Sequence, residues 1–235
     1  MASVLDLDTR NGDLTKFRVN GGLGLVSSRL TAEGPIQKGK SSFLLSGRSS
    51  YSDWMIHQYD DIDLKNSTAK FSDLTGKLFF SFLEDDILTF TGYGSTDNFR
   101  LGSSSIYSWS TVNFSSTWNH KFSDKLRSNL TLANSHYSSG EKSEDELFGY
   151  INSNDVKVLS ANLDFTFVKS DKFKTSWGII GNQYLVQPGS SIPFGDRSQS
   201  EPVSISQQKG IELAAYIENS IDLTPNLGMD IGLRY

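Results

Sequence analysis

The sequence predicts an all-β protein, an antiparallel meander of about eleven long strands forming part of a transmembrane β-barrel. Three observations carry that prediction. Apolar and polar residues alternate with a period of two along most of the chain, the mark of a strand with one apolar face. The alternating segments are mostly as long as the roughly nine to eleven residues a tilted membrane-crossing strand needs, against about five to six for strands in soluble domains. Short and long connections take turns, which gives one rim of tight turns and one rim of loops, as in outer-membrane barrels.

Taken in order, strands are expected over about 3–10, 16–33, 41–56, 70–82, 87–96, 107–122, 125–137, 156–168, 173–186, 211–222 and 226–235. The last is the clearest: Leu227, Met229, Ile231, Leu233 and Tyr235 share one face, opposite Gly228, Asp230, Gly232 and Arg234. In 158–168, Leu159, Ala161, Leu163, Phe165 and Phe167 oppose Ser160, Asn162, Asp164 and Thr166. In 110–120, Val112, Phe114 and Trp118 oppose Thr111, Asn113 and Thr117, and in 126–135, Leu126, Leu130 and Leu132 oppose Arg127, Asn129 and Thr131. Tight turns are expected at 34–40, 83–86, 123–125, 169–172 and 223–226, each holding Gly, Pro, Asp, Asn or Ser, and Asn11-Gly12-Asp13 has type I′ hairpin chemistry. Loops are expected over 57–69, 96–106, 138–155 and 187–210, rich in Ser, Gly, Asp and Asn. Phe82, Phe122, Phe167 and Phe173 flank the tight turns, while Tyr51, Trp54, Tyr107, Trp109, Tyr137 and Tyr184 lie toward the loop ends, as two interfacial girdles would.

Composition agrees. The 235 residues (26.1 kDa) are 37% hydrophobic, 12% aromatic and 21% charged, with a mean hydropathy of -0.35. No apolar run approaches the roughly 18 residues of a membrane helix, whereas a barrel's two faces average to an unremarkable hydropathy. Absence of cysteine removes disulfides, thiolate metal sites and cysteine nucleophiles. A net charge of -5 and a pI near 5.2 argue against a nucleic-acid partner, which needs a concentrated basic face. The first ten residues lack a basic-then-apolar leader, so export would require sequence ahead of them.

At 21–48 the reading becomes more specific. The run from Gly21-Gly-Leu-Gly to Glu33-Gly-Pro35, then Lys40-Ser-Ser-Phe-Leu-Leu-Ser-Gly-Arg48 and Tyr51, resembles the first barrel strands of TonB-dependent outer-membrane receptors. Ser3-Val-Leu-Asp-Leu-Asp8 followed by Asn11-Gly12 is similar to that family's junction between plug and barrel, and Ala215-Tyr-Ile-Glu-Asn219 with Gly232-Leu-Arg-Tyr235 to one of its recurring hairpins. The resemblance implies a 22-stranded barrel, of which this chain supplies about half. It implies a single barrel segment over 1–235, with 1–13 a plug junction or first strand and 14–235 successive hairpins. No plug sequence and no energy-coupling box is recognisable, so the chain is expected to be a piece of a longer receptor. The implied function is nutrient uptake (an iron chelate, a vitamin or a glycan) in the outer membrane of a double-membrane bacterium. The implied partners are outer-membrane lipid, a small-molecule or oligosaccharide ligand, and the inner-membrane TonB energy-coupling complex acting through the missing plug.

Site residues follow from the two faces. Arg48, Lys77, Arg127, Asp164, Glu212, Glu218, Asp230 and Arg234 fall opposite the apolar stripe and are the lumen-facing candidates, as plug contacts or ligand contacts. Phe114, Trp118, Leu130, Leu132, Leu163, Phe165, Leu227, Met229, Ile231 and Leu233 are the lipid-facing candidates. No catalytic residue, cofactor site or metal site is expected. His57, His120 and His136 have no ligand spacing, and Asp60, Asp61 and Asp63 lack the glycine and terminal glutamate of a calcium loop. Gly21, Gly22 and Gly24 open no helix and are expected to bend a strand or admit a close approach. No acid, base and nucleophile set emerges, which argues against an enzyme. Two other readings stay open at this point: a complete small porin or adhesin, and a soluble carbohydrate-binding β-sandwich.

Overall fold

The computed structural model describes residues 9–56, 58, 60–61, 65–100, 102, 105–224 and 226–235. The described residues form β1 (Arg18–Leu23), β2 (Ser27–Gln37), β3 (Ser41–Ser50), α1 (Asp53–Ile56), β4 (Thr68–Leu83), β5 (Asp86–Arg100) and β6 (Ile106–Lys121). They continue with β7 (Leu126–Ser143), β8 (Tyr150–Ser170), β9 (Phe173–Pro193), β10 (Val203–Ser204), β11 (Gln208–Thr224) and β12 (Leu227–Arg234). All lie in one antiparallel sheet ordered β1-β2-β3-β4-β5-β6-β7-β8-β9-β11-β12, with the two-residue β10 paired to β9. Each strand of the path therefore pairs with its neighbours in sequence, and β1 and β12 are the free edges.

Eleven strands in the path match the expected number, but by two offsetting differences. Residues 3–8 of the first expected strand lie outside the described residues, and Thr9 and Arg10 are not in a strand. The single strand expected over 16–33 is instead the hairpin β1–β2. Gly24 N–H donates to the Ser27 carbonyl (2.9 Å), and the following segment braces the turn through Tyr51 N–H to Val26 O (2.8 Å) and Trp54 Nε1 to Leu25 O (3.0 Å). The strand expected over 41–56 stops at Ser50 and continues into α1. No hairpin forms at Asn11-Gly12-Asp13. The Asp13 carboxylate accepts from the Thr15 and Lys16 amides (2.7 and 3.0 Å), an Asx turn, and Gly12 lies against the Phe43 carbonyl so closely that a side chain would collide with it.

The loops are shorter than expected because the strands run on into them: β5 continues to Arg100, β7 to Ser143 and β9 to Pro193, and β8 starts at Tyr150. Those extensions are mostly polar on both faces, with Phe99, Tyr150, Ile151 and Ile192 as exceptions, so no sustained alternation marks them. One row across the sheet, Ser49, Ser72, Thr96, Ser110, Ser138, Asp155 and Gln187, shows it: these residues sit above the apolar residues of the same face. The described residues of the connections 24–26, 51–67, 101–105, 144–149 and 194–207 lie on this rim. Opposite it are 38–40, 84–85, 122–125, 171–172 and the step from Thr224 to Leu227.

A single sheet has no second layer to pack on. Leu44 is the one large apolar side chain buried among the described residues, whereas Leu213 (78% exposed), Ile211 (76%) and Leu233 (73%) stand in the open. This removes the β-sandwich, whose two sheets would turn their apolar faces together. Ring contacts run along the tight-turn end of the apolar face. Phe80 meets Phe82 and Phe90 (5.7 and 6.4 Å), and Trp118, His120, Phe122, Phe165 and Trp177 form a continuous chain at 4.4 to 6.4 Å.

Candidate functional site: the polar face of the sheet

Residues directly opposite in an antiparallel register share a face. Following the register from β4 to β11, Lys77, Thr91, Ser115, Ala133, Ser160, Asn182 and Glu212 form one row on the polar side. Phe80, Leu88, Trp118, Leu130, Leu163, Ile179 and Ala215 form one on the apolar side. The eight polar candidates share the first face. Arg48 opposes Asp73, Arg127 opposes Lys121, Asp164 opposes Gly178, Glu212 opposes Asn182, Glu218 opposes Gly232, Asp230 opposes Ser220 and Arg234 opposes Tyr216. Phe114, Trp118, Leu130, Leu132, Leu163, Phe165, Met229, Ile231 and Leu233 share the other, with Leu227 joining them by alternation along β12. The polar candidates do not converge on one point. They spread across the whole width of the sheet: five of the eight fall in three groups, and Arg127, Glu218 and Asp230 stand outside them.

The first group lies under the segment that precedes β1. Glu33, only 3% exposed, receives Arg10 in a two-pronged ion pair and the Asp13 amide (3.2 Å), while Lys77, 7% exposed, donates to the Thr9 carbonyl. Charges this buried are tolerable only when paired, so residues 9–13 are clamped to the polar face by β2 and β4. Asp13 is itself held ionised. The Thr15 hydroxyl, then the Thr15 and Lys16 amides, hydrogen-bond to its carboxylate and pull its pKa down to about 2.

The second group is the row Gly22, Arg29, Arg48 and Asp73. Arg48 Nε donates to Asp73 Oδ2 at 2.7 Å, and its guanidinium lies 4.9 Å from the centre of the Phe71 ring. The third group is at the other edge. Glu212 accepts from Tyr184 (3.0 Å), Asn182 (3.3 Å) and Arg234 (3.3 Å), and Tyr216 donates to Asp164 at 2.6 Å. Gly178 makes the last contact possible, because a Cβ there would stand 2.6 Å from the Leu163 carbonyl and 2.9 Å from the Tyr216 ring.

Of the two aromatic girdles expected, the one near the tight turns lies on the apolar face, with Phe167 opposite Leu126 and Phe173 opposite Ile221. The other does not. Tyr107, Trp109, Tyr137 and Tyr184 oppose Glu141, Ser139, Thr111 and Gly210, all polar-face positions. Counting parity from Phe114 along β6 would have shown it, since odd positions face away from Phe114. With Tyr93 and Tyr150, which the composition did not single out, these rings line the loop-side half of the polar face. Tyr107 and Trp109 stack at 6.4 Å, and Tyr150 donates to Glu141 (2.9 Å). Tyr51 and Trp54 sit in the loop rim and bind backbone carbonyls of the β1–β2 turn.

The loops above are tied together. Phe194 N–H donates to Gly149 O (3.0 Å), Gln199 N–H to Leu147 O (2.7 Å), Arg197 pairs with Glu146, and Arg100 pairs with Glu144 at 2.6 Å. Lys142 and Arg100 together hold the Glu144 carboxyl below its usual pKa. His120 and His136 each contact a carboxylate, Asp86 (2.8 Å) and Asp155 (2.9 Å). His57 and Asp63 lie outside the described residues, and Asp60 pairs with Lys65.

A single sheet of long antiparallel strands, apolar on one face and polar on the other, with tight turns on one rim and loops on the other, has the architecture of a β-barrel wall. Solved structures of outer-membrane receptors share the fold. Over 96% of this chain it superposes on the copper transporter OprC with a TM-score of 0.71 at 13% identity. It superposes over 94% on FpvA of Pseudomonas aeruginosa, solved with pyoverdines (0.69, 14%), and over 88% on the siderophore receptor PirA of Pseudomonas aeruginosa (0.59, 15%). The chain spans 32 to 37% of the length of those three. No protein-family profile and no curated protein matches the sequence. The shared architecture is that of the barrel of TonB-dependent receptors.

Proposed function

We propose that the chain is part of the wall of an outer-membrane receptor that imports a small solute, with the polar face turned to the lumen and the apolar face to lipid. The observation that carries this is the continuous exposed apolar face, backed row by row by a polar one. Such a face is an aggregation hazard in water and an ordinary surface in a bilayer. Large, specific outer-membrane uptake needs energy from the inner membrane, so the TonB complex is the proposed driver, acting through protein that this chain does not include. The tyrosines and Trp109 on the loop-side half of the polar face, with Glu141 and the tied loops above them, form the proposed entry for solute. The solute is bound and passed on, and no bond is made or broken.

The described residues do not by themselves close into a small pore: in their meander of eleven strands the first and last run the same way, so joining β12 to β1 would make a parallel pair, foreign to bacterial barrels of even strand number. Fractionation of the native gene product tests the reading. It is expected in outer membranes and released only by detergent, with a cysteine at Asn182 reacting with a water-soluble maleimide and one at Ile179 protected. Recovery from the soluble periplasm overturns it.

A further inference from the structure

We propose that Lys157 and Lys209 hold the phosphate of an anionic lipid at the loop-side border of the apolar face. The site rests on the reading above that this face meets lipid, and it gives the face a particular lipid partner. The register sets both lysines beside Leu185, Lys157 on β8 and Lys209 on β11, with His136 of β7 opposite Lys157. All four residues therefore share the apolar face. Two strand spacings, on the order of 10 Å, separate the lysine backbones. Both side chains are exposed, and their flexible four-carbon stems can bring two ammonium groups to one phosphate.

Their height fits a headgroup. Lys157 lies ten positions along β8 from Phe167 in the tight-turn girdle, with no irregularity of register between the two. That is about 33 Å of strand, or about 25 Å of height at a tilt of about 40°, which matches the apolar band of a barrel. The rings expected at this border, Tyr107, Trp109, Tyr137 and Tyr184, face the other way, so cations mark it instead. Most of these cations are already answered. On the loop-side half of the face Lys70 pairs with Asp53, Arg100 and Lys142 with Glu144, and His136 with Asp155. The side chains of Lys157 and Lys209 have no hydrogen-bond or ion-pair partner among the described residues. Beneath them come Leu159, Ile211 and Leu213, all exposed. Two unanswered cations above bare apolar surface match an amphiphile, a phosphate joined to acyl chains, because a free anion would leave that surface uncovered.

Lipid-selective quenching tests the proposal in the full-length gene product, reconstituted in phosphatidylcholine vesicles that carry either brominated phosphatidic acid or brominated phosphatidylcholine. A fluorophore on Leu213→Cys reads the surface under the lysines, and one on Leu78→Cys reads the same row of the sheet far from them. At Leu213 phosphatidic acid is expected to be preferred by about tenfold or more. Lys157→Gln and Lys209→Gln should each cut that preference by about fivefold, and together bring it near parity, while Lys157→Arg keeps most of it. At Leu78 the two lipids should quench alike. Equal quenching by the two lipids at Leu213 overturns the proposal, as does a preference that survives the double substitution. A preference abolished by millimolar inorganic phosphate overturns it too, since the lysines would then serve a free anion. Absence of quenching at Leu78 by either lipid overturns the lipid-facing reading and the lysine site with it, whereas quenching there without preference at Leu213 removes the site alone.

Discussion

At the scale of single residues, Asp13 shows how a local turn becomes a pH-dependent tether. Its pKa in the fold, about 2, lies below the ordinary 3.8, so its contribution is fully present above about pH 4 and is lost as pH falls through about 2. The Asp13 carboxyl is therefore expected to titrate near 2 by carbon NMR. The protection factors of the Thr15 and Lys16 amides, taken against the intrinsic exchange rate at each pH, should be steady from pH 7 to 4 and fall below, whereas a midpoint near 3.8 would show that the turn is absent in solution. Gly178 is the opposite case, a residue that works by lacking a side chain. Gly178→Val should push Tyr216 off Asp164 and cost about 1–3 kcal/mol, read as a lower urea midpoint for the protein in lipid vesicles. The face on which each charge lies was legible in the sequence, because parity alone decides it. The partners were not: Arg10 with Glu33, Tyr216 with Asp164 and Tyr184 with Glu212 are separated by 23, 52 and 28 positions, and only the register brings them together.

At the scale of elements, alternation reports a strand only where its two faces meet different surroundings. It marked 158–168 well, where Leu163 and Phe165 face away from Asp164 and Asn162. It went silent over 138–143 and 150–155, where Ser, Asn and Gly occupy both faces of β7 and β8. It also read through Gly22-Leu-Gly-Leu-Val26, whose apolar residues keep their period across the β1–β2 turn. Neighbouring residues of β11 give a direct test of the faces. Leu213→Arg is expected to destabilise the lipid-embedded protein by about 2–4 kcal/mol, and Ala214→Arg by far less, in equilibrium unfolding from vesicles. Equal costs would mean that both faces meet the same medium.

At the scale of the molecule, the longest strands exceed what a bilayer needs. β8 and β9 have 21 residues each, on the order of 70 Å of extended chain, which at a tilt of about 40° stands roughly 50 Å tall against an apolar band of about 25 Å. About half of each strand is therefore expected above the membrane. A cysteine at Ser138 should react with an impermeant reagent added to whole cells and one at Leu132 should not. Reaction at both, or at neither, would place the sheet at a different height.

The order of pairing carries a consequence for how this wall assembles and yields. No strand of the main path waits for a distant partner, so each new hairpin finds its template already laid down beside it, and loop closure stays local throughout. The wall behaves as a zipper: a steady pull on the β12 end should release one hairpin at a time, in a series of comparable force steps, rather than rupturing the sheet at once.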